Sequence, residues 1–312
     1  MATTYFGETT CVASKRDGTP CGSKAYFTKD ATGECVCGKH AKKDERTKLP
    51  KNPNAAENKK TELSNHRFTC YDAITANHNA GKKGQVTCAK MRMMAAVELV
   101  PGFRNIFPNF LHKNRKDGVG LPSLSPKAIG PVAHGQPGLP DSLNLENFHQ
   151  GNKVFPSEVE TDPITGKTKP SAAFYELREK MYLDAEPHRH KQAAASVVGD
   201  GKTKNKNVPL FSVWVDKDGT EHHIDYFTSR QFYCHFYERA TLANPEYQEL
   251  LEQIAYGYNL RIVGYDGYAV TKTLEEHYCD TSRPFGHELV LYSMLTAKPE
   301  DWPWRKYMTF DY

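Results

Sequence analysis

The chain has 312 residues, 38% of them apolar and 25% charged, with a formal net charge of +4. This length is enough for one large domain with a small appendage, or for two domains. Its apolar runs stay well short of the roughly 18 residues that span a bilayer, and the first residues, MATTYFGETTC, contain no apolar signal core. The composition therefore argues against a membrane protein and predicts an intracellular, reducing location. In such a compartment the eight cysteines favour metal binding or free thiols over disulfides.

The first 40 residues contain four candidate metal ligands in the pattern C-x9-C-x15-C-x2-H, namely Cys11, Cys21, Cys37 and His40. Three cysteines and one histidine are typical of a closed, structural zinc site. The turn RDGTP can fold the first thiolate back onto the second. Cys35 is an alternative to Cys37, and the spacing leaves that choice open. We predict a zinc knuckle over residues 1–41, with structural Zn²⁺ holding together a segment too short for its own core.

A polar, proline-interrupted linker is predicted over residues 42–60, followed by a main domain over residues 61–312. The segment 41–92 contains twelve Lys and Arg but five Asp and Glu. This local excess of positive charge suits phosphates, nucleic acid or an acidic partner. A solvated basic linker explains the same composition.

In the main domain the pattern predicts a helix over 61–80 and a β-hairpin around the turn Asp216–Gly219. A long helical stretch over 228–258, capped by Thr228 or Ser229, is expected to break at Pro245. LRIVG is a short buried strand, and SRPFGHELVLYSMLTA begins a further helix. We therefore predict an α+β fold, in which a mainly helical body surrounds a small sheet or hairpin behind the zinc knuckle.

The segment DSLNLENFHQGNKVF places Glu146, Gln150 and Lys153 at relative positions 0, 4 and 7. On a helix these offsets fall on one face, within about 10 Å along the axis. The Gly- and Pro-rich run SPKAIGPVAHGQPGLP precedes them and predicts a shaped loop. Together they indicate the wall of a pocket, although an amphipathic surface helix has the same pattern.

Other polar residues stand in short clusters. The run His188, Arg189, His190 and Lys191 forms a dense donor cluster that suits a phosphate or another anion. Asp266 follows the LRIVG strand in an Asp-Gly turn, where a catalytic carboxylate or a simple turn former is common. His287 and Glu288 occupy the first turn of the predicted late helix, where Glu288 complements the helix dipole. His287 near Asp266 would form a functional pair.

From about Leu121 to Leu295 the chain resembles an uncharacterised family found in bacteria and in large nucleocytoplasmic DNA viruses. The similar segments are SLSPKAIGPV, LENFHQGNKVF, PHRHK, TSRQFYCHFYE, IVGYDGY and PFGHELVLYSML. The viral members also begin with a similar zinc-knuckle segment. This resemblance carries no known activity.

A second resemblance is to the NADAR-type N-glycosidases, which hydrolyse the bond between ribose and a base-like nitrogen. Their E-x3-Q-x2-K pattern followed by Phe is similar to Glu146, Gln150, Lys153 and Phe155. It implies that Glu146 is the carboxylate near the anomeric carbon and that Gln150 and Lys153 line the pocket. The Trp-Gly-x-Gly and Gly-x-Asn segments that this superfamily has late in its sequence are absent from this chain. GYDGY and PFGHE would have to take their places.

On this resemblance we assign Glu146, Asp266 and His287 as catalytic residues, with Asp266 binding ribose hydroxyls and His287 protonating the leaving base. The expected substrate-binding residues are Gln150, Lys153, Arg189, His190, Lys191, Arg230 and Tyr233.

The expected function is N-glycosidase-like hydrolysis of a nucleotide, ADP-ribose or an ADP-ribosylated nucleic acid. The alternative is a non-catalytic viral zinc-binding protein that binds nucleic acid or joins other virion proteins, located in the virion or the host cytoplasm. A zinc-dependent hydrolase is disfavoured, because three cysteines and a histidine close the coordination sphere.

Overall fold

The computed structural model describes residues 4–92, 95–109, 111–188 and 208–308. It contains both helices and sheets, which confirms the α+β prediction. The chain divides into two units, residues 1–65 and 66–312. The first unit therefore extends past the predicted knuckle and linker boundaries at residues 41 and 60.

The first unit is built on a small antiparallel sheet. Its strands are β1 (Phe27–Lys29), β2 (Cys35–Val36) and β3 (Arg46–Lys48), in the order β2-β1-β3. Its buried apolar cluster consists of Val36 with the thiols of Cys11 and Cys37. A cluster this small cannot offset the conformational entropy of ordering the unit, so a further stabilising element is required.

Helix α1 (Ala55–Asn79) starts in the first unit and ends in the second. It begins six residues before the predicted start at residue 61. Asn52 explains the earlier start, because its side-chain oxygen accepts a hydrogen bond from the backbone N–H of Asn54 just before the helix, at 2.8 Å.

The second unit is organised around a parallel sheet. Its strands are β4 (Val86–Lys90), β5 (Arg104–Phe107), β6 (Val119–Gly120) and β12 (Leu260–Gly264), in the order β4-β12-β5-β6. The central strand β12 pairs in parallel with both β4 and β5 and is the buried strand predicted from LRIVG. Because all four strands are parallel, their carboxyl ends lie at one edge of the sheet.

A second, antiparallel sheet has the order β11-β10-β7. It contains β7 (Lys153–Val154), β10 (Phe211–Val215) and β11 (Glu221–Ile224). The β10–β11 hairpin confirms the turn predicted at Asp216–Gly219, where Gly219 has a φ of +81°. A separate hairpin joins β8 (Val159–Thr161) to β9 (Thr168–Pro170).

The remaining helices are α2 (Leu145–Gly151), α3 (Ala172–Tyr182), α4 (Tyr226–Leu242), α5 (Pro245–Tyr256), α6 (Leu274–Cys279), α7 (His287–Thr296) and α8 (Pro303–Lys306). Pro245 is the first residue of α5 and separates it from α4, as predicted. The cap of α4 is Asp225 and not Thr228 or Ser229, because the Asp225 carboxylate accepts the backbone N–H of Thr228.

The main core lies where α7 packs against the parallel sheet and α4. Helix α7 is buried on nearly all sides, including Leu289, Val290 and Leu291. The aromatic tail packs onto this core through Trp302 and Trp304. Among the described residues, every helix is too short or too polar to cross a membrane.

A close backbone approach at Gly84 joins the start of β4 to the end of α5. The Gly84 N–H donates to the Ile254 carbonyl oxygen at 2.8 Å. A Cβ at this position would lie 1.8 Å from the carbonyl oxygen of Tyr258. We expect Gly84→Ala to lower the free energy of unfolding by about 1–3 kcal/mol, the usual cost of overpacking. An unchanged melting temperature in thermal denaturation would contradict this contact.

Candidate functional site

The structure brings Cys11, Cys21, Cys37 and His40 together in the first unit, with their ligand atoms all within 4.8 Å of one another. The Cys21 and Cys37 Sγ atoms are 3.8 Å apart. His40 Nδ1 lies 3.3 Å from Cys11 Sγ and 3.4 Å from Cys37 Sγ. Tetrahedral coordination with metal–ligand bonds of about 2.0–2.3 Å gives separations of roughly 3.5–3.8 Å. The four side chains can therefore hold a metal ion with little movement.

The backbone of this segment explains how ligands distant in sequence meet. The Cys11 N–H donates to the Ser23 carbonyl, and the Cys21 N–H donates to the Ala13 carbonyl, so two extended segments pair across the RDGTP turn. The His40 N–H donates to the Cys37 carbonyl, which closes the short knuckle. The set of four contains Cys37 and not Cys35, which resolves the alternative that the spacing left open.

The thiols of this cluster differ in acidity. Hydrogen bonds from Ser23, from its side chain first and then its backbone, lower the pKa of Cys21 to about 6. Burial raises the pKa of Cys37. A thiolate is the form that binds metal, so Cys21 is prepared for coordination at neutral pH.

Helix α2 holds the predicted Glu146 and Gln150 and is fixed at its start. The Asn144 side chain caps it by accepting the Asn147 N–H at 2.8 Å. The N–H groups of Leu145 and Glu146 donate to the carbonyl oxygens of Ile129 and Pro126. The Gly- and Pro-rich loop therefore shapes the entry to α2, as predicted, and occupies the free N–H groups at its N-terminus.

Lys153 does not belong to the helix. Helix α2 ends at Gly151, and Lys153 is the first residue of β7, paired with Ser212 on β10. The helix ends here because the Asn152 side chain donates to the Phe148 carbonyl oxygen at 2.8 Å. The predicted spacing on one helix face is thus wrong for Lys153.

The three predicted polar residues nevertheless lie side by side. Gln150 Nε2 donates to Glu146 Oε1 at 3.1 Å, and Lys153 Nζ donates to Gln150 Oε1 at 3.2 Å. All three side chains are half-buried. These bonds fix the orientation of the Gln150 amide between a carboxylate and an ammonium group.

Tyr233 and His149 complete this group, which we call the α2 cluster (Glu146, His149, Gln150, Lys153 and Tyr233). The rings of His149 and Tyr233 lie 4.9 Å apart, edge to face. Burial lowers the pKa of His149 well below its ordinary value, with a smaller contribution from the positive charge of Lys153. His149 is therefore neutral at physiological pH.

A second group of polar side chains lies at the carboxyl edge of the parallel sheet. We call it the sheet-edge cluster (Asp266, His287 and Glu288). The Glu288 carboxyl group packs against Gly264, the last residue of β12, where an added Cβ would lie 1.7 Å from Glu288 Oε1. Glu288 is 0% exposed, and within the described residues its carboxyl oxygens have no hydrogen-bond partner apart from the ion-pair contact with His287. It lies in the first turn of α7, as predicted.

Both ring nitrogens of His287 are engaged. Nε2 lies 2.7 Å from the carbonyl oxygen of Pro108, the residue after β5, so Nε2 carries a proton. Nδ1 lies 3.3 Å from Glu288 Oε2. Nε2 of His287 is thus occupied by the Pro108 carbonyl and Nδ1 faces the Glu288 carboxyl group, which does not favour the predicted role of His287 in protonating a leaving base.

The two carboxyl groups of the sheet-edge cluster lie in different environments. Burial raises the pKa of Glu288, despite the nearby His287, and the negative charge of Asp266 adds to the increase. Asp266 itself is exposed, and its Cβ would lie 3.0 Å from a Cβ on Gly286. One carboxyl group is thus protected from water while the other faces it.

Tyr233 connects the α2 cluster to the sheet-edge cluster. Its pKa is raised well above the ordinary value, first by burial and then by the negative charges of Glu146 and Glu288. Two rings one turn apart on α4 lie beside the two clusters, since the Tyr233 ring lies 4.9 Å from His149 and the Tyr237 ring lies 6.0 Å from His287.

Arg230 has a structural role in this arrangement. Its guanidinium donates to the carbonyl oxygens of Tyr278, Asp280 and Arg283, and it is only 3% exposed. These bonds hold the segment between α6 and α7. They leave Arg230 poorly placed for the phosphate that was predicted for it.

Of the predicted anion-binding cluster, Arg189, His190 and Lys191 lie outside the described residues. His188 is described, and its Nε2 lies 2.6 Å from Asp184 Oδ2, so its ring is engaged by a carboxylate. Two residues of the described clusters, His149 and Glu288, were not assigned a functional role from sequence. His149 stands between Glu146 and Gln150 in LENFHQ, and this proximity was the available signal. For Glu288 the sequence signal is Gly264 at the end of the LRIVG strand. The sequence does not show that these two residues are in contact, so this signal can be used only once the fold is known.

Comparison with family models, with curated proteins and with solved structures finds no match for this chain. The resemblances drawn from its motifs therefore remain predictions. The observations that bear on function are the two clusters and the metal-ligand set.

The metal site gives a direct prediction. We expect the purified full chain to contain about one metal ion, and Cys21→Ser to lose it, because a structural site with three protein ligands binds far more weakly. Cys35→Ser is the matched control, since it removes a neighbouring thiol outside the ligand set, and it should retain the metal. Elemental analysis measures both. Loss of metal in Cys35→Ser with retention in Cys21→Ser would contradict the assignment.

The buried carboxyl group predicts a pH-dependent stability. Unfolded Glu ionises near pH 4.3, whereas folding raises the pKa of Glu288. Stability is therefore lost as pH rises between these two pKa values. Glu288→Gln imitates the protonated form, so its melting temperature should rise relative to wild type from pH 4 to pH 8. Glu300→Gln, at an exposed site, should show a constant difference. A constant difference for Glu288→Gln as well would argue that its carboxyl group titrates normally.

Proposed function

We propose that the second unit is an N-glycosidase-like hydrolase that acts on a nucleotide, ADP-ribose or an ADP-ribosylated nucleic acid. The observation that carries this proposal is that α4 contacts both clusters: the Tyr233 ring lies 4.9 Å from the His149 ring and, one turn later, the Tyr237 ring lies 6.0 Å from the His287 ring. Polar side chains of α2 and α7, which include Glu146 and Glu288 at a separation of 142 residues, thus lie on two helices that contact one common helix. Such convergence of titratable groups with perturbed pKa values is typical of active sites.

In this proposal Glu146 is the carboxylate that stabilises the positive charge that develops on the sugar. Hydrolysis of an N-glycosidic bond passes through an oxocarbenium-like state, which a nearby carboxylate stabilises while it activates water. The Gln150 amide is held by Glu146 and Lys153 in one orientation, which suits it for binding ribose hydroxyls. A prealigned amide contributes to rate through orientation of the substrate.

The sheet-edge cluster supplies the complementary acid chemistry. A carboxyl group with a raised pKa beside an exposed carboxylate separates the roles of acid and base. Asp266 is exposed and accessible to substrate, whereas the Glu288 carboxyl group behind it is buried, lies 3.3 Å from His287 Nδ1 and has a raised pKa. Ligands of parallel sheets bind outside the carboxyl ends of the strands, which is where these residues stand.

The first unit has a separate, structural role, with Zn²⁺ as the proposed metal. Three thiols and an imidazole fill four tetrahedral positions, so the ion would stabilise the fold of the unit and would have no open position for a substrate. The hydrolytic chemistry is accordingly assigned to the side chains of the second unit alone.

Substitution of the central carboxylate tests the proposal. We expect Glu146→Gln to lower the rate of ADP-ribose release from an ADP-ribosylated guanine oligonucleotide by about 10²–10⁴, the usual contribution of a general acid–base group. Glu160→Gln makes the same chemical change on the exposed β8 strand and should leave the rate unchanged. Liquid chromatography of the released product measures both. Equal turnover by Glu146→Gln and wild type would remove the proposal.

A further inference from the structure

All of the chain's net positive charge lies in the first unit. Residues 1–65 contain twelve Lys and Arg and eight Asp and Glu, whose difference equals the +4 of the whole chain. Residues 66–312 are balanced, with 29 of each. Of the excess of seven positive charges predicted over residues 41–92, three lie in the first unit and four lie in residues 66–92 of the second unit.

Two lysines of this unit lie beside half-buried aromatic rings. The rings of Phe6 and Tyr26 lie 4.6 Å apart, and Lys48 Nζ lies 5.2 Å from the centre of the Phe6 ring. Gly7 covers the edge of Tyr26, and an added Cβ there would also lie 3.9 Å from Lys24 Cδ. We call Phe6, Lys24, Tyr26 and Lys48 the aromatic–lysine patch.

The lysines of the patch are electrostatically available. Lys24 and Lys48 are exposed, and neither forms an ion pair with a described carboxylate. The nearby Glu8 accepts a hydrogen bond from Asn52 at 2.6 Å instead. By contrast, Lys59 and Lys60 on α1 are paired with Glu62 and Glu57.

The rings are also available for stacking. Phe6 and Tyr26 are half-buried, so each keeps part of its surface in contact with solvent. Two aromatic rings flanked by unpaired cations match the two chemical parts of a nucleic-acid strand, the base and the phosphate. Duplex DNA hides its base faces inside the stack, so this combination favours an unpaired strand.

We propose that the aromatic–lysine patch binds single-stranded nucleic acid, with Phe6 and Tyr26 stacking on bases and Lys24 and Lys48 contacting phosphates. This site lies in the first unit and does not depend on the hydrolase proposed for the second. The metal-ligand set lies next to the backbone of the patch, because the Tyr26 N–H donates to the carbonyl of Val36, the residue before Cys37, and the Cys11 N–H donates to the carbonyl of Ser23, the residue before Lys24.

The test measures binding of the full metal-loaded chain to fluorescein-labelled dT12 and U12 oligonucleotides by fluorescence anisotropy at several NaCl concentrations. For single strands each neutralised phosphate contributes about 0.7 to the slope of log K against log salt. We expect Lys24→Ala with Lys48→Ala to reduce the slope by about 1.4. Lys59→Ala with Lys60→Ala changes the net charge equally and should leave the slope unchanged.

The stacking contribution is tested separately by Phe6→Leu, which keeps apolar volume but removes the aromatic face. Loss of one stacked base weakens binding by roughly 5-fold or more. Metal content and melting temperature, measured on each variant, confirm that the first unit is folded. If Phe6→Leu does not fold, the two double lysine variants still decide the question.

Three results would overturn the inference. The first is no binding of either oligonucleotide by the wild-type chain. The second is an equal loss of binding in the two double variants, which would indicate diffuse charge attraction only. The third is equal affinity for a duplex of the same length, which would exclude recognition of unpaired bases. None of these results bears on turnover by Glu146, so failure here and failure of the hydrolase proposal are distinguishable.

Discussion

The close contact between Glu288 and Gly264 is the constraint on which the candidate site depends. Only glycine at the end of β12 allows α7 to approach the sheet so closely, since a Cβ would lie 1.7 Å from the Glu288 carboxyl oxygen. The contact removes that carboxyl group from water and raises its pKa. Burial of an ionisable group without a strong partner is expensive and is found mainly where chemistry needs it. The same contact holds His287, the first residue of α7, against the Pro108 carbonyl at the end of β5.

The first unit depends on a different constraint. Its buried apolar cluster is very small, so metal binding by the four ligands would have to provide the stability that a hydrophobic core provides in a larger domain. Metal coordination links three segments of chain with a few strong bonds and leaves most of the surface free. Exposed lysines and aromatic rings can then be displayed on a unit of about 65 residues without weakening a core. In the second unit, by contrast, burial of aromatic and aliphatic side chains around α7 provides the stability.

Features with a local cause were predictable from sequence, and features set by distant partners were not. The metal ligands, the break at Pro245, the Asp216–Gly219 hairpin and the buried strand near Ile262 all have short-range signals. The parallel sheet was missed, because β12 pairs with β4, whose residues lie more than 170 positions earlier. A short apolar run shows that a strand is buried but not which strand it joins. Lys153 was misplaced for a similar reason, since pairing with β10 draws it out of α2.

The candidate site follows the same division. Glu146 and Gln150 were found from their spacing, whereas the importance of Glu288 depends on Gly264 and on the whole path of α7. The ionisation of side chains in the two clusters also depends on the fold, and no single sequence motif predicts it. The pKa of Tyr233 is raised well above its ordinary value, first by burial, so its hydroxyl remains a neutral hydrogen-bond donor over a wide pH range. The carboxylate of Glu146 in the same cluster suits the positive charge of an oxocarbenium-like state and disfavours a bare phosphate beside it. A phosphate-bearing substrate would therefore have to place its phosphate near Lys153, the cation of the α2 cluster, and its ribose near Glu146.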